Sequence, residues 1–174
     1  MKNLFSSISI FLFVACLVAG CSKSNDQRKF EDQALTTPNN YTQTDGQGNV
    51  IDKDEDDWRV SPMYRGLITI GTPDNQPPYP NPLSFNQQLT INIYIRSIET
   101  LNRMEVYAFK FPSQANAPAI AFREDLSSPT LETFTLSGES ISGSPGGSQA
   151  TGLYRILIYD GQRNLITYGD ISIE

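Results

Sequence analysis

The chain contains no histidine among its 174 residues, and this absence excludes several kinds of chemistry. Histidine is the commonest general base near neutral pH and the commonest protein ligand of transition metals. Catalytic sites of the Ser-His-Asp and Cys-His types are therefore excluded, and so are zinc sites of the usual composition. The sequence predicts no cofactor and no metal centre.

Cationic residues and phosphate-binding loops are also scarce. The chain has 13 Lys and Arg residues against 19 Asp and Glu residues, which gives a net charge of −6. Such a charge predicts no nucleic-acid partner, because the phosphate backbone binds basic surfaces. Residues 142–148 are rich in glycine but lack the lysine and the following helix pattern of a phosphate loop, so we interpret them as a flexible loop.

Cysteine occurs only at positions 16 and 21, within and just after an apolar N-terminal segment. Lys2 precedes a mainly apolar run over residues 4–18, which has the length of a signal-peptide core. A bilayer-spanning helix would need about 20 such residues. The run ends in Val18-Ala19-Gly20-Cys21, and this stretch resembles the lipobox of bacterial lipoproteins.

The lipobox resemblance implies cleavage between Gly20 and Cys21 and attachment of lipid to the Cys21 thiol. Two or three acyl chains give stable membrane anchoring where a single chain does not. The mature chain then has no thiol available for a disulfide. An uncleaved membrane anchor and an ordinary secretory signal are the alternatives. The first predicted partner is therefore a membrane, bound through N-terminal lipid.

Residue 22 bears on the choice of membrane. In enterobacterial lipoproteins an Asp after the lipidated cysteine retains the protein in the inner membrane, and this chain has Ser22 at that position. The resemblance therefore implies the outer membrane. It leaves open whether the protein faces the periplasm or the cell surface.

Residues 21–57 are predicted to form a lipidated, disordered, acidic tether. Their few apolar residues are scattered among polar ones, and such a segment cannot bury enough surface to offset the entropy of ordering. As a random coil of about 36 residues it would separate its ends by roughly 30–35 Å. The acidic run Asp52–Asp57 begins like an EF-hand calcium loop but lacks its glycine and its final Glu, which favours a solvated run.

From Trp58 onward, apolar residues alternate with polar ones, and turn residues separate the alternating segments. The clearest strand covers residues 88–96, where four aliphatic residues face one way. Further strands are predicted over residues 66–70, 104–111, 119–122, 131–136, 152–160 and 164–173. About seven short strands without a helical period indicate an all-β fold, an immunoglobulin-like antiparallel β-sandwich over residues 58–174.

A second resemblance covers residues 79–174. Residues 79–84 (Tyr-Pro-Asn-Pro-Leu-Ser) with the strand that follows resemble the start of the C-terminal sorting domain of the type IX secretion system. Residues 152–161 resemble a late strand and turn of that family. The resemblance implies an immunoglobulin-like fold and a source in the Bacteroidota. Leu83 in place of the usual Phe, a non-basic C-terminus and a lipid anchor of its own depart from the family pattern.

Four residues outside the main strands form the candidate binding set: Trp58, Tyr64, Arg65 and Tyr79. Aromatic and arginine side chains are typical of surfaces that recognise sugars and proteins. The structural alternative, which we favour for Trp58, is that it caps one edge of the sandwich. For Tyr79 the alternative is a rigid, extended lead-in fixed by the neighbouring prolines. Tyr154 has the position of a tyrosine corner, whose hydroxyl bonds to a nearby loop.

These observations favour a non-catalytic module that binds or scaffolds another envelope protein. The grounds are the missing histidine, thiol and cofactor motif, combined with a small β-sandwich. A carbohydrate-binding surface lipoprotein and a relative of the sorting domains are the alternatives. A hydrolase that uses carboxylates alone is least favoured, and it needs two carboxylates within about 10 Å in a concave pocket.

Overall fold

A computed structural model describes residues 23–71, 76–97, 101–111, 118–126 and 128–174. The predicted signal peptide, Gly20 and Cys21 lie outside the described residues. Within the described ranges, no helix is long and apolar enough to cross a membrane. The elements are α1 (Asn25–Ala34), β1 (Gln43–Thr44), β2 (Val50–Asp52), a 3-10 helix (Pro62–Tyr64), β3 (Ile68–Ile70), β4 (Gln88–Ile95), β5 (Arg103–Lys110), β6 (Ala121–Glu124), β7 (Thr130–Ser137), α2 (Gly138–Ser142), α3 (Gly147–Ala150), β8 (Gly152–Asp160) and β9 (Leu165–Ile173).

Strands β3 to β9 form two antiparallel sheets that pack face to face. One sheet has the order β3-β4-β7 and the other has the order β6-β5-β8-β9. If β3, β4, β5, β7, β8 and β9 are labelled A, B, C, E, F and G, the sheets are ABE and CFG, with β6 added beside C. The predicted all-β, immunoglobulin-like sandwich is confirmed.

Alternating apolar residues build the core between the sheets. On β4 the side chains of Leu89, Ile91, Ile93 and Ile95 are fully buried. In the register of β4 with β7, Ile91 lies opposite Phe134, which is also fully buried. The period-two pattern that predicted these strands therefore also predicted their buried face, because successive side chains of a strand point to opposite sides.

The outer edge of β9 is covered along both of its halves. Near its start, the Trp58 amide donates to the Tyr168 carbonyl at 2.8 Å, and the Ser61 amide donates to the Ile166 carbonyl at 2.8 Å. Near its end, Leu83 pairs with Ile173 in parallel. An unpaired edge is a template for association with other chains, so these two segments protect the sheet.

Residues 23–57, which the sequence predicts to be a disordered tether, are instead ordered and packed onto the sandwich. Helix α1 starts at the N-cap Ser24, whose side chain accepts from the Gln27 amide at 3.1 Å. Its buried residues Phe30 and Ala34, one turn apart, lie against the outer side of β8 and β9. Burial of these two side chains supplies stabilisation that the composition of the segment does not indicate.

Asn81 is a buried connection between the segment around the β1–β2 hairpin and the sandwich. Asn81 is fully buried, and its side-chain amide donates to the Thr42 carbonyl at 2.7 Å and to the Asp170 carbonyl at 2.9 Å. Its side-chain oxygen accepts from the Ser172 amide at 3.0 Å. Asn81 thus ties the N-terminal segment to β9, a role that the Pro-flanked sequence motif does not reveal.

The segment before β8 contains helices where we predicted a flexible loop. Helices α2 and α3 flank residues 143–146, and Gly143 ends α2 in the left-handed conformation at φ 65°. The predicted tyrosine corner is confirmed, because the buried Tyr154 hydroxyl donates to the Ala150 carbonyl at 2.7 Å. This bond fixes the C-terminal end of α3 against the first residues of β8.

Candidate functional site

Trp58 lies inside the molecule, so its prediction as an exposed binding residue is wrong. Only 7% of its surface is exposed, and its indole occupies the space beside Gly169, where any Cβ would overlap the ring. Its backbone pairs with the edge of β9. The structural alternative, in which Trp58 caps an edge of the sandwich, is confirmed.

Tyr64 is also buried, with 2% of its surface exposed, and it is not a recognition residue. Its hydroxyl donates to the Asp160 carboxylate, which also accepts from the amides of Gln162 and Asn164. Burial, followed by the Asp160 interaction, raises the pKa of Tyr64 well above its ordinary value. Tyr64 therefore stabilises the turn between β8 and β9.

Arg65 and Tyr79 do not meet each other or the two buried aromatics. Arg65 is exposed and lines a shallow cleft of about 240 Å³ together with Lys29, Phe30 and Arg59. Tyr79 is half-buried, and its backbone pairs with Thr90 on β4, as expected for an extended lead-in. The four residues of the candidate binding set therefore do not form one surface.

A different set of aromatic residues does form one surface. We call it the aromatic face: Tyr107, Phe109 and Phe111 from β5 and the residue after it, Tyr159 from β8, and Phe122 from β6. The first three stand two residues apart and so share one side of β5, opposite the buried Val106 and Ala108. Tyr159 and Phe122 flank Glu105, which lies on this side as well. The aromatic face is thus the outer side of the four-stranded sheet.

Four rings of the aromatic face contact one another in two pairs. The Tyr107 and Tyr159 centroids are 5.7 Å apart at an interplanar angle of 82°, and those of Phe109 and Phe111 are 5.0 Å apart at 53°. Both pairs have the tilted geometry that aromatic rings prefer. Four of these five residues are half-buried, and Phe122 is 55% exposed. The surface is therefore rigid and apolar, yet still open to a partner.

Arginines stand over three rings of this surface. The guanidinium carbon of Arg163 is 5.3 Å from the Tyr107 centroid, and that of Arg103 is 5.2 Å from the Phe122 centroid. Arg155 lies 5.0 Å from the Phe111 centroid. Burial and the nearby Glu105 carboxylate, which accepts from the Tyr107 hydroxyl, raise the pKa of Tyr107. The aromatic face can therefore stack on flat groups, and the partly exposed Arg103 and Arg163 can offer cationic donors at its rim, whereas Arg155 is buried.

Two carboxylates meet beneath the N-terminal segment, which bears on the hydrolase alternative. Asp57 and Asp170 are 7% and 2% exposed, so Asp57 is not part of a solvated acidic run. Asp57 accepts from the Thr42 amide at 2.7 Å and from the Asp170 amide at 3.1 Å. Burial and the negative charge of Asp170 raise the pKa of Asp57 to about 8. The folded protein therefore favours the protonated form of Asp57 more than water does.

Arg155 holds the second carboxylate and the end of α1 at the same time. Its guanidinium donates to Asp170 at 2.8 and 2.6 Å, and its remaining terminal nitrogen donates to the carbonyls of Ala34 and Thr36 at 2.8 and 2.7 Å. Burial raises the pKa of Asp170, while the bond to Arg155 opposes that rise. With their oxygens occupied by protein donors, the two carboxylates have a structural role in attaching residues 34–57.

The cleft above this ion pair is polar. It has a volume of about 470 Å³, and Arg155, Tyr168 and Asp170 lie beneath a rim that includes Lys53 and Asp56. Among the residues that the structure describes, no three Asp, Glu, Cys or His side chains are grouped to hold a metal ion. The cleft thus has a wide polar mouth, whereas the aromatic face concentrates apolar surface.

The sequence contains a signal for the aromatic face. The pattern of β5 placed Tyr107, Phe109 and Phe111 on the side away from the core, where three aromatic residues in a row are unusual for a surface open to water. The pairing of β5 with β6 and β8, which adds Phe122 and Tyr159, could not be obtained from one strand alone.

No protein-family model matches the chain, and no curated protein sequence matches it either. Among solved structures, superoxide reductase (neelaredoxin) from Ignicoccus hospitalis is 13% identical, with a TM-score of 0.37 over 64% of this chain and 86% of that chain. Two variants of that protein, also 13% identical, have TM-scores of 0.38 and cover 64% and 66% of this chain and 85% and 87% of their own. A likeness this low carries no argument about activity.

Proposed function

We propose that this chain is a lipid-anchored protein of the outer membrane whose sandwich binds another envelope protein, without catalysis, through the aromatic face. The anchor part of the proposal is supported by Val18-Ala19-Gly20-Cys21 at the end of the apolar N-terminal run. Ser22 in place of Asp supports the outer membrane.

One observation carries the binding part of the proposal. Five aromatic side chains on one side of the four-stranded sheet remain half-buried or exposed, and arginines cover three of them. Aromatic residues and arginine are the types that dominate the energy of protein interfaces. Four of the rings are held in pairs, and Arg103 lies over the fifth, so little conformational entropy is lost when a partner covers them.

A protein partner fits this surface better than a small substrate does. The aromatic face is the side of a β-sheet, whereas small-molecule sites are concave and enclose most of their ligand. The clefts of about 240, 340 and 470 Å³ lie elsewhere, beside α1, Trp58 and the acidic segment. The proposed role is therefore docking, not turnover.

The test compares two exposed apolar residues on opposite sides of the sandwich. Phe122 is 55% exposed on the aromatic face, and Leu131 is 49% exposed on the three-stranded sheet. A photo-crosslinking amino acid placed at position 122 in the full chain, in intact cells, is expected to give one discrete crosslinked product. The same amino acid at position 131 is expected to give none.

Substitution then measures the contribution of the ring. Phe122→Ala is expected to weaken capture of the identified partner by about tenfold, and Leu131→Ala is expected to leave it unchanged. Equal crosslinking at both positions would contradict the proposed surface. If the protein binds glycans on an array, Phe122→Ala abolishes that binding, and no crosslinked protein is found, the carbohydrate alternative is established instead.

A further inference from the structure

The described part of the chain begins two residues after the predicted lipid attachment site. Lys23 is the first described residue, and its ammonium group pairs with Glu31 at 2.7 Å and donates to the Arg163 carbonyl at 3.4 Å. Arg163 lies in the turn that joins β8 to β9. The entry of the chain is thus fixed beside this turn.

The first turn of α1 holds that entry in place. Gln27 is fully buried, and its side-chain amide donates to the Leu165 carbonyl at 3.1 Å. Its side-chain oxygen accepts from the Met63 amide at 3.2 Å. These bonds join α1 to the start of β9 and to the 3-10 helix. Gln27 therefore holds the first turn of α1, which begins directly after Lys23 and Ser24, beside the start of β9.

Cys21 precedes Lys23 by two residues, which limits its distance from the folded body. Two residues of extended chain span at most about 7 Å. An acyl chain on Cys21 must enter the bilayer, so the surface around Lys23 must lie within about that distance of the lipid headgroups. The predicted tether of roughly 30–35 Å is thereby replaced by a direct contact.

We infer that the end of the sandwich formed by Lys23 and residues 161–163 lies against the phospholipid headgroups of the membrane, an inference that rests on the proposed lipidation of Cys21. The side chain of Arg163 is 72% exposed, and Lys23 is 32% exposed beside it. Both can contact headgroup phosphates, with Glu31 and Glu105 as the carboxylates paired to them. The opposite end, with α2 and α3, stands about 30 Å further out, the length of the nine-residue β8.

The chain is well suited to a direct test, because a mature form that begins at a lipidated Cys21 contains no other cysteine. Gln162→Cys in the β8–β9 turn and Ser148→Cys in α3 both replace exposed residues and serve as a matched pair. Each full-length lipidated protein is labelled with a fluorophore and reconstituted in phosphatidylcholine–phosphatidylglycerol vesicles that contain a headgroup nitroxide quencher. Quenching at position 162 is expected to exceed that at position 148 several-fold.

A linker variant separates the short connection from other causes. Twenty Gly and Ser residues inserted between Ser22 and Lys23 would allow a separation of roughly 25 Å, so quenching at position 162 is expected to fall towards that at position 148. Equal quenching of the two labels in the uninserted protein, or no change on insertion, would overturn the inference. Mass spectrometry of the N-terminal peptide checks the anchor separately: a lipidated peptide with equal quenching overturns only the apposition, and a peptide without lipid overturns the anchor as well.

Discussion

The two outer sides of the sandwich differ in composition and in what covers them. The outer side of the three-stranded sheet is mixed: Asn92 and Thr133 bond to each other at 2.9 Å, and Tyr94 and Leu131 lie beside them. The outer side of the four-stranded sheet carries Leu157, Leu165 and Tyr168, which α1 buries, and next to them the aromatic face, which α1 leaves partly open. The more polar side needs no covering segment. The apolar side is partly buried by α1, and its remaining apolar surface is available to a partner.

Removal of the ion pair between Arg155 and Asp170, beneath the N-terminal segment, is expected to have the largest effect on the covered side. Arg155→Ala would leave Asp170 buried without its cation and would free the carbonyls of Ala34 and Thr36. We expect the free energy of unfolding to fall by about 3–5 kcal/mol in denaturant titrations. The control Arg65→Ala, at an exposed arginine, should change it by less than about 0.5 kcal/mol. A similar small loss for both variants would show that the buried pair is not required.

Loss of the covering side chain itself should be the next largest effect. Phe30 is 6% exposed, and its ring lies 5.1 Å from that of Tyr168. Phe30→Ala should lower the free energy of unfolding by about 3 kcal/mol and expose α1 to limited proteolysis. Tyr94→Ala, a half-buried aromatic on the opposite sheet, is the control and should leave proteolysis of α1 unchanged. Resistance of α1 in both variants would contradict its dependence on this face.

Asp57, which lies buried beneath the N-terminal segment, should also make the free energy of unfolding depend on pH. The pKa of Asp57 is about 8 in the folded protein against 3.8 normally, so the folded state binds a proton that the unfolded state has lost. Its contribution to stability is full below the unfolded value and is lost as pH rises through the folded value. We expect the free energy of unfolding to decrease between about pH 5 and pH 8.

Two features make this pH measurement informative. The chain lacks histidine, so no unperturbed side chain titrates in that range. Below it, the lowered pKa of Glu31 acts in the opposite direction, because the pair with Lys23 is lost as pH falls. Asp57→Asn should flatten the slope between pH 5 and 8. An unchanged slope in that variant would assign the pH dependence to another group.

The smallest effects are expected at the two exposed positions used to test binding. Phe122→Ala and Leu131→Ala should each change the free energy of unfolding by less than about 0.5 kcal/mol, because about half of each residue is already exposed to water. Thermal unfolding followed by circular dichroism would measure this. A large loss for Phe122→Ala would mean that its ring supports the fold, and weakened binding by that variant would then need a second substitution on the aromatic face.

The strands could be predicted from the sequence because their signal is local. The bounds of β8 match the predicted residues 152–160, and the buried positions of β4 follow from its alternation alone. Helix α1 could not be predicted in the same way. It has two apolar residues, Phe30 and Ala34, and their partners on β8 and β9 are more than 100 residues distant in sequence.

The prediction of the candidate binding set is wrong for a related reason. Trp58, Tyr64 and Arg65 are close in sequence and share a composition typical of recognition, but they sit where the chain enters the sheet, so the two aromatics turn inward. The distribution of apolar residues along β8 is the pattern that does indicate a covered surface. Both sides of β8 are apolar, with Ile156 facing the core and Leu157 facing outward, and this double pattern implies a covering element on the outside.

The buried position of Trp58 gives the protein an intrinsic optical probe. It is the only tryptophan in the chain, and its ring rests against Gly169 where residues 58–61 join the edge of β9. Its fluorescence emission will therefore shift to longer wavelength when this segment detaches from the sheet and water reaches the indole. Separation of the N-terminal segment from the sandwich can thus be followed in the unlabelled protein, in vesicles or in whole membranes enriched in it.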